Sequence, residues 1–433
     1  MITNILLLTL VVFAMLVVMI VIKVPISFAL GIATLGGVVL VSNLPLMVIA
    51  QRMFVGLDSF TLLAIPLFML TGQIMAMGGV TRDLMNLSMV FVGWMRGGLA
   101  YVNIVASMIF AGITGTASSD TASLGGILIP TMIERKFDKD FTVAVTATSS
   151  TIGIMIPPSI PMVLYAIASG TSIGQLFLGG VVPGIIVGFG LMSVSAVISK
   201  KRNYPAEKRY PFKESVKICV RSLPALGTVV IIIGGIISGF FTPTEAAGVA
   251  CFYTTMLGLF YYKELKVKQI PNLIYQGAMT VGLVALMIAS ASALGWFFTS
   301  QGVPRAIANG LMAATQSKVI ILLLINAVLL FVGCWMDLAP AVTLFTPILL
   351  PVAVAVGVDP VHFGIIMVVN LAIGLFTPPV GVCLFISCGI AKIAITDVLK
   401  AFIPFFLVMM IILMLITFVP QISLFLPSLL MRN

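Results

Sequence analysis

Ile152-Gly153-Ile154-Met155-Ile156-Pro157-Pro158 recurs 221 residues later as Ile373-Gly374-Leu375-Phe376-Thr377-Pro378-Pro379. In both copies a glycine precedes two consecutive prolines by four residues. Proline lacks a backbone donor and its ring clashes with the preceding helical turn, so each copy predicts a helix that breaks in its middle. The same spacing relates further pairs, namely Gly112 and Gly333, Pro130 and Pro351, Asp138 and Asp359, and Pro183 and Pro404. The second half of the chain therefore repeats the first.

The composition is typical of a membrane protein. Of the 433 residues, 61% are hydrophobic and 8% are charged, and apolar runs recur along the whole chain. A helix needs roughly 20 apolar residues to cross a bilayer, which leaves room for about ten to twelve spans. Continuous apolar runs, rather than short alternating ones, favour helices over a closed barrel. We therefore predict an all-α polytopic membrane protein that sits in a lipid bilayer.

The basic residues lie mainly in short loops, although the net charge is +10. The densest loops are 200–213 and 263–268. Loops rich in lysine and arginine face the cytoplasm by the positive-inside rule, so the charge predicts orientation and no nucleic-acid partner. The opening run Met1–Ile22 has no charged start and no small-residue cleavage site, which indicates a first span rather than a signal peptide.

A polar stretch interrupts the apolar run 98–133. Residues 111–123 contain six hydroxyls, two glycines and Asp120, between apolar arms of about a dozen residues each. Such arms are too short to cross, so we predict a re-entrant helical hairpin with its tip at membrane depth. Irregular backbone is tolerated there only where protein buries it or where it lines a cavity.

The repeat divides the chain into segments. A duplicated unit with helix-breaking residues at matching places is typical of secondary transporters, whose repeats are often inverted in the membrane. We predict N-terminal scaffold helices (1–78), a first repeat (79–199) with hairpin 98–133 and broken helix 141–169, a cytoplasmic basic linker (200–221), second scaffold helices (222–301), and a second repeat (302–427) with hairpin 319–356 and broken helix 361–390.

The hairpin tips and breaks offer oxygen ligands at membrane depth. Hydroxyls, amides, carboxylates and freed carbonyls suit a hard cation of low charge. The amino ends of half-helices carry unpaired N–H groups and a positive dipole end, which suit an anion. A site with both properties would couple cation entry to anion uptake.

Several polar residues have a structural explanation beside the functional one. Asp120 and Asp337 are costly in a bilayer and suggest function, but each could also cap a hairpin helix. The serines near the tips and breaks could serve helix packing, and Asn370 could make an interhelical hydrogen bond. Glu245 follows Thr242-Pro243 and is expected to cap the first turn of a helix.

Enzymatic chemistry is not indicated. The sequence has no phosphate-binding loop of P-loop spacing and no His-Glu-x-x-His motif. His362 is the only histidine, and we expect it at a surface or interface because it follows the loop at Asp359-Pro360. We therefore predict that the chain is not an enzyme.

Four motifs resemble the large membrane (M) subunit of tripartite ATP-independent periplasmic (TRAP) transporters. They are Gly-Ile-Thr-Gly-Thr-Ala-Ser-Ser-Asp-Thr-Ala-Ser (112–123), Ile-Pro-Pro-Ser (156–159), Thr-Pro-Thr-Glu-Ala-Ala (242–247) and Phe-Thr-Pro-Pro-Val-Gly (376–381). The resemblance implies a sodium-coupled, elevator-type importer of an organic acid in the bacterial inner membrane. It also implies two protein partners, a small four-helix membrane subunit on a separate chain and a periplasmic substrate-binding protein.

The resemblance also implies sites. One sodium ion would bind Gly115, Thr116, Asp120, Ser149 and Ser150, and a second would bind Gly333, Asp337 and Asn370. The substrate would lie between the tips and the breaks, near Ser118, Ser119, Pro157, Pro158, Ser159, Thr377, Pro378 and Pro379. Arg52 and the amphipathic segment near Arg82 would belong to the scaffold that meets the small subunit.

Two other functions remain open from the sequence. One is a self-sufficient ion-coupled carboxylate transporter of related hairpin architecture, and the other is a membrane scaffold without transport activity. The residues do not name the substrate, which could be a sialic or related sugar acid or a C4-dicarboxylate.

Overall fold

The computed structural model describes residues 2–41, 44–77, 79–315 and 317–431. Met1 and Gly78, the ends of the predicted N-terminal scaffold segment, lie outside the described residues. Within them the chain forms helices and no strand, which confirms the all-α prediction. The α-helices are α1 (Ile2–Val21), α2 (Ile26–Val41), α3 (Met47–Leu57), α4 (Ala64–Met77), α5 (Val80–Val92), α6 (Gly98–Thr114), α7 (Ala117–Glu134), α8 (Lys139–Ser149), α9 (Ile160–Ser169), α10 (Ile173–Lys201), α11 (Phe212–Ile237), α12 (Pro243–Met256), α13 (Ile270–Ser300), α14 (Val303–Ala314), α15 (Lys318–Trp335), α16 (Leu338–Ala355), α17 (Pro360–Gly374), α18 (Val382–Ala391), α19 (Ile395–Phe418) and α20 (Gln421–Leu430).

Fewer long helices are present than the ten to twelve predicted spans. In the described ranges six helices are long and apolar enough to cross a membrane, and a seventh span results if α3 and the following helix, bent by 60°, count as one. In the same ranges seven further apolar helical stretches have 10–17 residues each, and several end at a glycine or proline, as α9 does at Gly170. Breaks, rather than polar loops, therefore separate much of the apolar sequence.

The helices of the two halves correspond in order and in position. Helices α6 to α10 recur as α15 to α19. The first and last residues of α7 (Ala117–Glu134) and of α16 (Leu338–Ala355) are both 221 residues apart. Both α8 and α17 end at a break before the next helix, and in the first half a 3₁₀ segment, Ser150–Ile154, leads into that break. The glycine and proline pattern thus accounts for the local structure of both halves.

Equivalent helices begin at opposite ends of α10. At the start of α8, Asp138 and Asp140 bind Arg202, which directly follows the last residue of α10. At the start of α17, the Pro360 carbonyl accepts a hydrogen bond of 2.6 Å from Tyr165, in the helix that precedes α10. The first turns of α17 therefore lie beside the first turns of α10, whereas α8 begins at its other end.

The two hairpins have longer arms than the sequence suggested. Helices α6 and α7 contain 17 and 18 residues, not about a dozen, and only Gly115 and Thr116 separate them. The arms are longer because the serine-rich run after Thr116 is itself helical and forms the first turns of α7. The predicted polar tip is therefore a two-residue turn followed by a polar helix end.

The broken helices form the centre of the molecule. Every residue from Phe141 to Ile154 is buried, and so is every residue of α17 from Val361 to Gly374. His362 is consequently buried rather than at the surface, and its Nε2 lies 3.3 Å from the Thr417 carbonyl. Its position follows from α17 being enclosed along its whole length.

Glu245 has the capping role predicted for it. Its carboxylate accepts a hydrogen bond of 2.8 Å from the Thr242 amide, and the Thr242 hydroxyl accepts one of 3.3 Å from the Glu245 amide. This capping box fixes the start of α12 at the Thr-Pro step. The prediction for Glu245 is confirmed.

A charged cluster fixes the start of α8 to the end of α10. Both guanidinium nitrogens of Arg202 donate to the Asp140 carboxylate, at 2.8 and 2.9 Å, and Tyr204 donates to Asp138 at 2.7 Å. Burial by itself raises the pKa of Asp140, but the hydrogen bonds from Arg202 and the Phe141 amide, with the charge of Arg202, lower it below its usual value.

Replacing Asp140 with asparagine should destabilise the fold by about 1–2 kcal/mol, because it removes one side of a bidentate, partly buried ion pair. The pKa of Asp140 is lower in the folded state, so this contribution is complete above the unfolded pKa near 4 and disappears as the pH falls further. Thermal unfolding in detergent measures both effects. Glu134→Gln, on the same segment but in no ion pair of the described residues, is the control, and equal melting temperatures for the two variants would contradict the assignment.

Candidate functional site

The first hairpin tip rests on the break of its own half. Gly115 has φ +65°, a left-handed conformation that glycine adopts without strain. A Cβ atom there would lie 2.9 Å from the Pro158 carbonyl oxygen, and the Gly115 carbonyl accepts a 3.3 Å hydrogen bond from the Ile160 amide. Glycine at this position thus allows tip and break to meet backbone to backbone.

Asp120 is fully buried beside this contact. Its Oδ1 accepts a hydrogen bond of 2.6 Å from the Thr114 hydroxyl, while its Oδ2 has no hydrogen-bond partner among the described residues. Oδ2 lies 2.5 Å from the place that a Cβ of Gly153 would occupy, so the carboxylate faces the broken helix. Thr116, not Asp120, is the N-cap residue of α7, and the capping explanation therefore does not describe Asp120.

Asp337 at the second tip has a different environment. It is exposed, it is the N-cap residue of α16, and its Oδ1 accepts a 2.8 Å hydrogen bond from the Leu338 amide. The second tip also rests on its own break, because the Val380 amide donates to the Cys334 carbonyl at 3.3 Å. The two aspartates are therefore not equivalent, and the capping explanation holds for Asp337.

Two further predicted residues bind an asparagine in the first arm of each hairpin. Ser149 donates to the Asn103 side-chain oxygen at 3.1 Å, and Asn370 donates to the Asn326 side-chain oxygen at 2.7 Å. Asn370 thus makes the interhelical bond considered for it. Its own Oδ1 is buried and has no partner among the described residues, so one oxygen remains available to a cation or water.

The two tips border one small cavity of about 80 Å³. Its walls come from both tips, from the start of α9 and from the residues around the second break, namely Thr116, Ala117, Ser118, Ile154, Ile160, Pro161, Asp337, Leu338, Ala339, Leu375, Val382 and Cys383. We call it the tip cavity. The amino ends of α7 and α16 both border it, so unpaired amides and a carboxylate meet in one space.

The other predicted site residues do not line the tip cavity. The Ser159 hydroxyl caps α9 by accepting from the Met162 amide, and the Ser150 and Thr377 hydroxyls donate to carbonyls of the preceding helices, α8 and α17. Gly333 lies against Gly374, where the second hairpin meets its broken helix. The remaining predicted residues, which are not among those lining the cavity, are Ser119, Pro157, Pro158, Pro378 and Pro379.

Three polar residues of the site were not selected from the sequence. Thr114 binds Asp120, and Asn103 and Asn326 bind Ser149 and Asn370. The criterion that selected Asn370, an amide in an otherwise apolar run, also applies to both asparagines. Nothing in the sequence distinguishes Thr114 from its hydroxyl-bearing neighbours.

Comparison with known proteins gives consistent results. Residues 13–422 match the family described as tripartite ATP-independent periplasmic transporter, DctM component. The sialic acid TRAP transporter large permease protein SiaM of Vibrio cholerae is 38% identical over 405 residues, 94% of this chain and 95% of that protein. The isethionate TRAP transporter permease protein DctMQ of Oleidesulfovibrio alaskensis is 42% identical over 406 residues, 94% of this chain and 64% of that protein. The Alcanivorax borkumensis YdaH transporter is similar in fold alone, with a TM-score of 0.61, 14% identity and 88% of each chain covered.

Proposed function

This chain belongs to the DctM family of TRAP transporter large permeases, and from that premise we propose that it carries an organic acid anion into the cell together with sodium. As a member of a permease family of the bacterial inner membrane, it is a multi-pass transport protein and not an enzyme. The family implies a small membrane subunit and a periplasmic binding protein as partners.

The observation that carries the sodium proposal is the environment of Asp120. A fully buried carboxylate with one oxygen unpartnered in the described structure is unstable as a bare charge and needs a cation or a proton. The Thr114 hydroxyl binds its other oxygen, and the Thr116 carbonyl oxygen lies near the same Gly153 position, so the neighbouring groups are hard, neutral oxygen ligands. Such ligands suit a small cation of low charge.

The tip cavity supports coupling between cation and anion. The amino ends of α7 and α16 attract a carboxylate or sulfonate, but the exposed carboxylate of Asp337 repels it. A sodium ion beside Asp337 would cancel that repulsion, so the anion would bind well only after the cation. The two relatives compared above are named for isethionate and sialic acid, which are both organic anions.

We further propose that the two halves are inverted repeats and that the tips and breaks move together as one body, as in an elevator. Support comes from α8 and α17, which begin at opposite ends of α10, and from packing between the halves, in which α16 lies against α9 and α18 lies against α7 and α8. A displacement of one tip with its break would therefore carry the other along.

Sodium dependence tests this function. The chain, co-reconstituted in liposomes with its small subunit and binding protein, is assayed with isethionate, N-acetylneuraminate and a C4-dicarboxylate. Removing the sodium gradient should reduce uptake of the accepted solute at least about tenfold, because the anion then meets an uncompensated carboxylate. Uptake that a proton gradient alone sustains at the full rate would contradict sodium coupling.

A further inference from the structure

A second and larger cavity, of about 810 Å³, lies between the scaffold helices and the repeats. Its volume is in the range of small-molecule sites, which measure roughly 300–1,000 Å³. Hydroxyl groups line it from both sides: Ser59, Thr61, Ser292 and Thr299 from the scaffold, and Thr171 and Ser172 from the loop between α9 and α10. We call it the large cavity.

The large cavity and the tip cavity share two walls. On α9, Pro161 borders the tip cavity and Leu164 borders the large cavity. On α16, Ala339 borders the tip cavity and Thr343 borders the large one. Three or four residues are about one helical turn, or roughly 5 Å. A solute in the large cavity would therefore be one turn away from the tip cavity along both helices.

Two independent elements place the large cavity at the periplasmic side. Helix α13 starts directly after the basic loop 263–268, and its lining residue Thr299 is one residue from its far end. Helix α10 ends at the basic loop 200–213, and the lining residues Thr171 and Ser172 precede its opposite end. Since basic loops face the cytoplasm, the cavity faces the side from which a periplasmic binding protein would deliver a solute.

An arginine packs against one residue of the cavity wall without lining the cavity itself. The guanidinium carbon of Arg52 lies 4.8 Å from the ring centroid of Trp296, and Trp296 lines the cavity. Arg52 takes part in none of the ion pairs of the described residues, and no Asp or Glu is among the described residues that line the cavity. The nearest acidic neighbour in sequence is the exposed Asp58, beside the lining residue Ser59.

We propose that the large cavity is the periplasmic vestibule through which an organic anion reaches the tip cavity, and that Arg52, held over Trp296, attracts the anion at its wall. This rests on the proposed uptake function and adds an entry site to it. A fixed positive charge beside a space with low-dielectric walls raises the local concentration of anions. The ring under the guanidinium holds that charge in place without neutralising it.

Cysteine labelling tests the vestibule without a known substrate. Ser292→Cys is introduced into the full chain, with its five native cysteines replaced and the small subunit co-expressed. Intact spheroplasts are treated with membrane-impermeant methanethiosulfonates that carry either a sulfonate or a trimethylammonium group. We expect labelling from the periplasmic side and a sulfonate-to-ammonium rate ratio that falls about three- to tenfold with Arg52→Gln but not with Arg52→Lys. Asp58→Asn should raise the ratio.

Ser317→Cys, at the start of α15 and outside the cavity lining, is the matched control, whose ratio should not respond to residue 52. Three results would overturn the proposal. They are an unlabelled Ser292→Cys, equal rate ratios with Arg52 and with Arg52→Gln, and a response to residue 52 that appears only when the small subunit is present. The last result would assign Arg52 to the subunit interface. Fluorescence quenching repeats the test with all cysteines in place. Trp94 and Trp335 are replaced by phenylalanine, and the quenching of Trp296 by the iodide anion is compared with its quenching by the caesium cation. Neither readout depends on sodium coupling, so loss of that coupling would leave this proposal standing.

Discussion

Asp120→Asn is expected to reduce sodium-driven uptake by about a hundredfold or more while the protein still folds. The variant keeps the size of the side chain and an oxygen for the Thr114 hydroxyl, but it removes the negative charge that faces Gly153. A cation bound at the break would then lose the charged ligand that Asp120 supplies. Initial rates in proteoliposomes, measured against sodium concentration, report the loss.

The stability of the same variant separates a functional role from a structural one. A buried charge without a counterion costs several kcal/mol, so in sodium-free buffer Asp120→Asn should melt no lower than the parent protein. Sodium should raise the melting temperature of the parent, because it binds only the folded state, and should not raise that of the variant. Thr114→Val is the matched control, since it removes the hydrogen bond to Oδ1 and keeps the charge.

A structural role would give the reverse pattern. If Asp120→Asn lowered the yield and the melting temperature while the sodium response survived, Asp120 would be a fold-stabilising residue and the sodium site would lie elsewhere. Thr114→Val should retain most of the sodium-driven rate. A loss as large as that of Asp120→Asn would show that the hydrogen bond, and not the charge, carries the effect.

The repeat could be read from the sequence because its signals are local. Proline and glycine act on the turn in which they stand, so the pairs at 157–158 and 378–379 locate both breaks without knowledge of the tertiary structure. The correspondence of α7 with α16 follows in the same way from the fixed spacing. Composition alone was sufficient for the helical class.

The pairing of side chains could not be read from the sequence. Asp120 and Asp337 look alike as acidic residues in polar tips, yet one is enclosed against the break and the other caps α16 in an open cavity. Asp120 is the fourth residue of α7, whereas Asp337 is the N-cap residue of α16. This offset of about one helical turn decides where each carboxylate lies, and the apolar periodicity of the sequence does not determine it. The burial of His362 likewise depends on which helices surround α17, and a single sequence does not contain that information.

Gly374→Ala should slow transport about tenfold or more, because the second hairpin and its broken helix touch through backbone at this residue. A Cβ at Gly374 would lie 2.3 Å from the carbonyl carbon of Gly333 and 2.4 Å from its oxygen, and neither atom can rotate away. The helices must separate, at an expected cost of about 1–3 kcal/mol in packing and a loss of about tenfold or more in rate as the tip shifts. Gly389→Ala, inside α18 with nothing within 4 Å of the added atom, is the matched control and should be neutral or slightly stabilising by helix propensity. Melting temperatures and uptake rates of the two variants test this close approach, and equal values for both would mean that α15 and α17 are not in backbone contact at Gly333 and Gly374.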